Sequence, residues 1–240
     1  MKATVKKKPE PENYAAQEAA REKKRERYHS QEDLLPEKAC KTPIGIVGAG
    51  AIGSFAVLSM AKMGMEDIRV VDFDSIEDHN IANQLYPQSM VGEKKVKALR
   101  AMTKDYTGTT IKVADSRWDG EALGTPIVIA AVDDMDVRTA MWKRHKKSAK
   151  LYIDARMGAE VLRVYTIDPS NAKQVEFYES TLYPQEQAAP EKCTAKSIIY
   201  TVLLSSGIIA SHVKKYLTEQ KYPKEILLDA RNSVYLRSKE

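Results

Sequence analysis

Ten consecutive residues, Ile44-Gly45-Ile46-Val47-Gly48-Ala49-Gly50-Ala51-Ile52-Gly53, constrain the fold of this chain more than any other stretch. They read as a buried strand running straight into a glycine turn and a helix. Gly48 permits the tight turn, Gly50 lets backbone N–H groups approach a phosphate with no Cβ in the way, and Gly53 lets the helix pack close to the strand. The helix N-terminus then faces the phosphates. A second apolar strand, Ile68-Arg69-Val70-Val71, ends in Asp72, where such folds place a carboxylate on a ribose hydroxyl. A glycine motif alone is also met in strand-to-helix turns driven by packing, with no ligand. Set between a strand and a helix and followed by the acid at this distance, it favours nucleotide binding and a doubly wound, Rossmann-like α/β sheet with helices on both faces.

The chain has 240 residues, 43% of them apolar, enough to bury one substantial core. Its net charge of +5 sits largely in the first forty residues and in Lys143-Arg144-His145-Lys146-Lys147. The excess therefore describes segments, and a nucleic-acid partner is not expected. Two cysteines, Cys40 and Cys193, are too few for a disulfide framework and include no Cys-x-x-Cys pair, so no zinc is expected. With no apolar run of membrane-spanning length and no apolar core in the first residues, the expectation is a soluble, cytoplasmic protein without a membrane partner.

Residues 1–40 form a basic extension, disordered at first and then a charged helix over 15–28, and 41–240 form the main domain. The expected order is a helix over 54–63 closed by Gly64, a long polar loop over 73–91, a helix over 93–106 and a strand over 110–114. The apolar run 126–132 then reads as a central parallel strand. A helix over 136–147, strands over 150–154 and 161–167, and a crossover loop over 168–190 come next. The longest helical signal spans 194–216, with Gly207 inviting close approach, and two short strands around 226–228 and 234–236 end the pattern.

Outside the glycine turn, chemistry-bearing residues fall in a fixed order: Asp72-x-Asp74, Asn80-Ile81-Ala82-Asn83-Gln84, Gly92-Glu93-Lys94-Lys95-Val96, and Asp133-Asp134 with Arg138. In this order the sequence resembles the ThiF/MoeB/HesA family, the bacterial relatives of ubiquitin-activating enzymes, from about Ile44 to Leu217. The resemblance implies ATP-dependent adenylation of the C-terminal carboxylate of a small ubiquitin-like or sulfur-carrier protein, with release of pyrophosphate. Carried over by position, Gly48, Gly50, Ala51, Gly53, Asp72, Asn80, Asn83, Gln84, Lys95 and Asp133 would contact ATP. Lys95 would meet the phosphates and Asp133 would sit by Mg²⁺. A lysine and a carboxylate-held cation suit a reaction that builds charge on phosphate oxygens. The resemblance also implies a homodimer, for which the apolar helix around Gly207 offers a surface.

Each residue has a plainer alternative. Lys95 stands among solvated lysines, Asp133-Asp134 suits the N-cap of the next helix, and Asn80 and Gln84 can hydrogen-bond within their loop. Cys193, before the long helix, fits either a thioester or persulfide carrier or an inert thiol. The chain also departs from the family: Asn83 stands where an arginine is usual, and Ser30 stands where the N-terminal helix usually offers another. Arg25, Arg27 and Arg156 are candidate substitutes. Two other functions remain open, an NAD(P)-dependent dehydrogenase and a non-catalytic ThiF-like binding module.

Overall fold

A computed structural model describes residues 18–19, 22–23, 25–187 and 197–238. Eight strands form one sheet: β1 (Ile44–Val47), β2 (Ile68–Asp72), β3 (Lys112–Asp115), β4 (Ile127–Ala130), β5 (Leu151–Gly158), β6 (Val161–Ile167), β7 (Glu225–Asp229) and β8 (Val234–Arg237). Their order is β3-β2-β1-β4-β5-β6-β7-β8. From β3 to β5 all neighbours run parallel, and from β5 to β8 all run antiparallel. Five helices connect them: α1 (Ala51–Lys62), α2 (Lys95–Thr107), α3 (Met135–His145), α4 (Ala172–Glu179) and α5 (Ile199–Leu217).

The central strands read as unbroken apolar runs because both of their faces are buried. In β1 and β4, Ile44, Ile46, Ile127 and Ile129 join the core formed with α1, α2 and α5, through Val57, Met60, Leu99, Ile209 and Val213. The alternate residues Val47, Val128 and Ala130 face a second core with Met141 and Trp142 of α3 and Tyr178 of α4. That second core is aromatic. Trp142 meets Tyr152 and Tyr178 edge-on at 5.1 and 4.8 Å, the arrangement that ring quadrupoles favour. Helices therefore cover both faces, as the doubly wound expectation requires.

One expectation changes. Residues 168–190, read as a crossover loop, contain α4, capped by the Asn171 side chain on the N–H groups of Lys173 and Gln174. The helix is short, and Tyr178 is its one fully buried residue, too little to set a period in the sequence. Gly207 has no neighbour within 4 Å of where its Cβ would lie. The close contact between α1 and α5 is made one residue earlier, where the hydroxyls of Ser59 and Ser206 meet at 2.6 Å and Ser206 donates to the Phe55 carbonyl.

Near the N-terminus, the Arg27 guanidinium donates to the Thr107 carbonyl and the Tyr28 hydroxyl to the Ala61 carbonyl at 2.9 Å. Both carbonyls lie in the last turns of α1 and α2, whose final acceptors lack partners within the helix. Arg27 is thereby committed to structure.

His212, buried on α5 with its Nδ1 2.7 Å from the Thr166 hydroxyl, is pushed down to about 4 by burial and, less, by the charge of Lys215. Its folded-state value lies below the unfolded 6.5, so the unfolded chain binds the proton first and stability falls as pH drops through that window. The loss approaches roughly 3 kcal/mol once pH reaches the folded value. Urea midpoints at pH 7 and pH 5 should differ accordingly, and His212→Gln should flatten the difference.

Candidate nucleotide site

The carboxyl edge of the parallel strands holds the glycine turn. Gly48 has a φ of +100°, and a Cβ there would lie 2.3 Å from the Ala131 carbonyl oxygen just past β4. A Cβ on Gly53 would lie 1.9 Å from the Gly48 carbonyl oxygen. Gly50 is different: it caps α1 with nothing within 4 Å of its absent Cβ. The first and third glycines serve the fold, and the second leaves a clear approach to the N-terminus of α1.

Asp72 closes this turn from the neighbouring strand. One carboxylate oxygen accepts the Ala49 N–H at 2.6 Å and the other the Asp74 N–H at 2.7 Å. The long loop after β2 folds back over the same place. Tyr86, almost fully buried, donates its hydroxyl to the Ala49 carbonyl at 2.7 Å, and the Leu85 N–H donates to the Ser54 hydroxyl on α1. Burial and the nearby Asp72 charge hold the Tyr86 hydroxyl well above its ordinary range, so it remains a donor. Sequence reasoning missed Tyr86, whose one signal is that it is, with Phe73, one of two aromatics in the loop over 73–91.

Lys95 is the buried lysine of its group. Its side chain is 8% exposed against 39% for Lys94 and 67% for Lys97, and its Nζ lies 2.9 Å from Asp74. As the first residue of α2 it sets a cation at the positive end of the helix dipole, which Asp74 offsets. Asp74 is half exposed, so an incoming anion can share this lysine.

Past β4, Asp133 is exposed and makes no side-chain hydrogen bond or ion pair among the described residues, whereas Asp134 caps α3 through the N–H groups of Asp136 and Val137. The N-cap alternative thus holds for Asp134 and leaves Asp133 available. No group of three metal-ligating side chains occurs among the described residues. The available donor is this single carboxylate, which fits Mg²⁺ as it is usually held, by one or two carboxylates with substrate phosphates.

Behind Asp133 lies a buried charge network. Asp154, fully buried, pairs with Arg138 on one oxygen and on the other accepts from Arg156 Nε at 2.9 Å and the Tyr178 hydroxyl at 2.8 Å. Arg138 also donates to the Val132 carbonyl, next to Asp133, and Arg156 to the Thr181 carbonyl. A second stitch runs between Gln185, whose Oε1 accepts the Met135 N–H at 2.7 Å, and Asp136, which accepts the Gln185 N–H. The turn bearing Asp133 is therefore braced by residues distant in sequence, and Arg156 is not free to replace a missing phosphate arginine.

The remaining candidates divide. Asn80 turns into its own loop, its Oδ1 accepting the Glu77 N–H. Asn83 donates to the Ser197 hydroxyl at 2.6 Å, while its Oδ1 and the Gln84 Oε1 are buried with no hydrogen-bond partner among the described residues. Buried acceptors left open beside a nucleotide turn are the kind of groups a ligand or water satisfies. Cys193 lies outside the described residues.

Sheet order, glycine turn and strand-end acid define a Rossmann-like domain with a turn of the type that receives phosphates. The chain belongs to the ThiF family, whose model matches residues 28–234. It is 29% identical over 117 residues to the adenylyltransferase and sulfurtransferase MOCS3 of Arabidopsis thaliana, covering 45% of this chain and 24% of that protein. It is 28% identical over 103 residues to the molybdopterin-synthase adenylyltransferase of Salmonella typhimurium, covering 40% and 41%. With tRNA threonylcarbamoyladenosine dehydratase 2 of Saccharomyces cerevisiae it shares 31% over 117 residues, covering 45% and 26%. These matches span less than half the length of each relative. Among solved structures the fold matches PaaA with a TM-score of 0.74 at 16% identity, covering 90% of this chain and 73% of that one. It also matches Escherichia coli MccB with ATP, with a TM-score of 0.69 at 14% identity, covering 84% and 65%.

Substituting the glycines separates fold from site. Gly53→Ala should lower unfolding stability by about 2–3 kcal/mol, because backbone must move. Gly50→Ala should stay within about 0.5 kcal/mol of the parent yet weaken ATP binding about tenfold. Urea denaturation and calorimetry on the two variants check both.

Proposed function

We propose that this protein adenylates the C-terminal carboxylate of a small ubiquitin-like or sulfur-carrier protein, using ATP. A carboxylate oxygen would attack the α-phosphorus as the bond to the bridging oxygen breaks, and pyrophosphate would leave. The observation that carries this reading is Lys95, a buried cation at a helix N-terminus whose carboxylate partner is half exposed, within a ThiF-family chain. There Lys95 would bind phosphate oxygens, Asp72 a ribose hydroxyl, and the N–H groups around Gly50 a phosphate. Asp133 would hold Mg²⁺, which when bound neutralises phosphate charge. Two of the relatives are named adenylyltransferases, which supports adenylation, and the third is named a tRNA threonylcarbamoyladenosine dehydratase, so the bearer of the carboxylate is the part that most needs testing.

Lys95→Ala should lose most ATP affinity in calorimetry while its thermal unfolding stays close to the parent. Equal affinity in the two proteins would remove Lys95 from the site. The parent should catalyse pyrophosphate exchange into ATP only when a carrier with a free C-terminus is present. Absence of exchange with ATP still bound would favour the non-catalytic alternative, for which the Asn83 replacement speaks.

Two further expectations belong to this reading. Cys193→Ala should retain exchange and lose transfer to a downstream acceptor; loss of neither would make Cys193 a bystander. A homodimer is expected because exposed Tyr200, Leu203 and Leu204 of α5 and Tyr235 of β8 line an apolar groove of about 590 Å³. Light scattering at micromolar concentration should give twice the chain mass.

A further inference from the structure

The order of strands along the carboxyl edge gives the nucleotide a direction. β1 carries the glycine turn, β2 beside it ends in the ribose acid Asp72, and β3 lies outermost. Phosphate, ribose and base follow one another in the same order, and two strand spacings cover about 10 Å, close to the reach from an α-phosphate to a base. A nucleotide seated with its phosphates on β1 and its ribose on β2 therefore brings its base to the ends of β2 and β3.

Two flat side chains meet there. Asp72 and Asp115 are paired in register, so the chain leaves the sheet side by side, into Phe73 and into Ser116-Arg117. The Arg117 guanidinium lies 4.1 Å from the centroid of the Phe73 ring. Phe73 is 41% exposed and Arg117 is exposed as well. Arg117 makes no hydrogen bond or ion pair among the described residues, although Asp115 is two residues away: Lys94 and Lys97 hold that carboxylate at 3.6 and 3.4 Å. Lys94 also donates to the Phe73 carbonyl at 2.7 Å, which fixes the backbone beneath the ring. A guanidinium 4.1 Å from a ring centroid, with no hydrogen bond spent among the described residues, keeps a planar face and a charge to offer.

We propose that Phe73 and Arg117 form the base-recognition element of the nucleotide site, the guanidinium seated on the Phe73 ring and stacking its outer face on the purine of ATP. This rests on the reading of the glycine turn and Asp72 as an ATP site. Stacking reads a flat π-face, so the pair supplies affinity for a purine nucleotide beyond what the phosphates supply. Its contribution is absent for inorganic triphosphate, which has no base.

Calorimetry on the full chain with ATP and, separately, with inorganic triphosphate tests this. Arg117→Ala should weaken ATP about tenfold and leave triphosphate unchanged. Arg117→Lys, which keeps the charge without the plane, should also weaken ATP, and Phe73→Leu should do so by removing the seat. The proposal is overturned if Arg117→Ala binds ATP as the parent does, or if ATP and triphosphate weaken equally, which would make Arg117 a phosphate charge. Should the parent itself fail to bind ATP, the nucleotide reading falls and this inference falls with it. Unchanged ATP binding in the variants overturns the inference alone.

Discussion

The rest of the structure depends on a steric condition at the carboxyl end of β1. Two backbone carbonyls, of Gly48 and Ala131, occupy the positions where side chains on Gly53 and Gly48 would begin. That close approach brings α1, β1 and the end of β4 into one compact edge, with the N-terminus of α1 left open at Gly50. Everything assigned to the candidate site is measured from there. Asp72 reaches the turn from one side, Tyr86 covers it from the loop, and Asp133 leaves β4 on the other side.

Charges are handled differently on the two sides of this edge. At Asp72 and Asp74 the carboxylates are partly exposed and bonded to backbone N–H groups and to one lysine, an arrangement that an incoming anion can enter without unfolding anything. At Asp154 a fully buried carboxylate is shared by two arginines and a tyrosine. Removing one partner of such a group leaves buried charge uncompensated, so this part is rigid. Its rigidity reaches Asp133 through the Val132 carbonyl and reaches the 181–187 stretch through Thr181 and Gln185.

Much of this was legible in the sequence, because the features that set it are local. The period of the strands, the spacing of the three glycines and the position of Asp72 each follow from neighbours a few residues apart. Spacing alone also distinguishes an open approach at Gly50 from close packing at Gly53, and the geometry has the same division, with free space at the first and a backbone carbonyl at the second. Contacts between distant residues were not legible. Nothing near Arg138 or Arg156 in the chain says that both will meet Asp154, and nothing near Gln185 says that it will accept the Met135 N–H. The helix α4 escaped because a single buried tyrosine sets no period, and Asn80 was read toward phosphate because its type, not its partner, is what a sequence displays.

The eighth strand carries a different kind of consequence. Among the described residues β8 closes the antiparallel end of the sheet with one neighbour, β7, and all four of its residues are exposed, Val234, Tyr235 and Leu236 among them. An unpaired strand edge is a template on which another strand can add its own hydrogen bonds. Two features blunt the edge here: the strand is only four residues long, and a charged residue, Arg237, stands at its end.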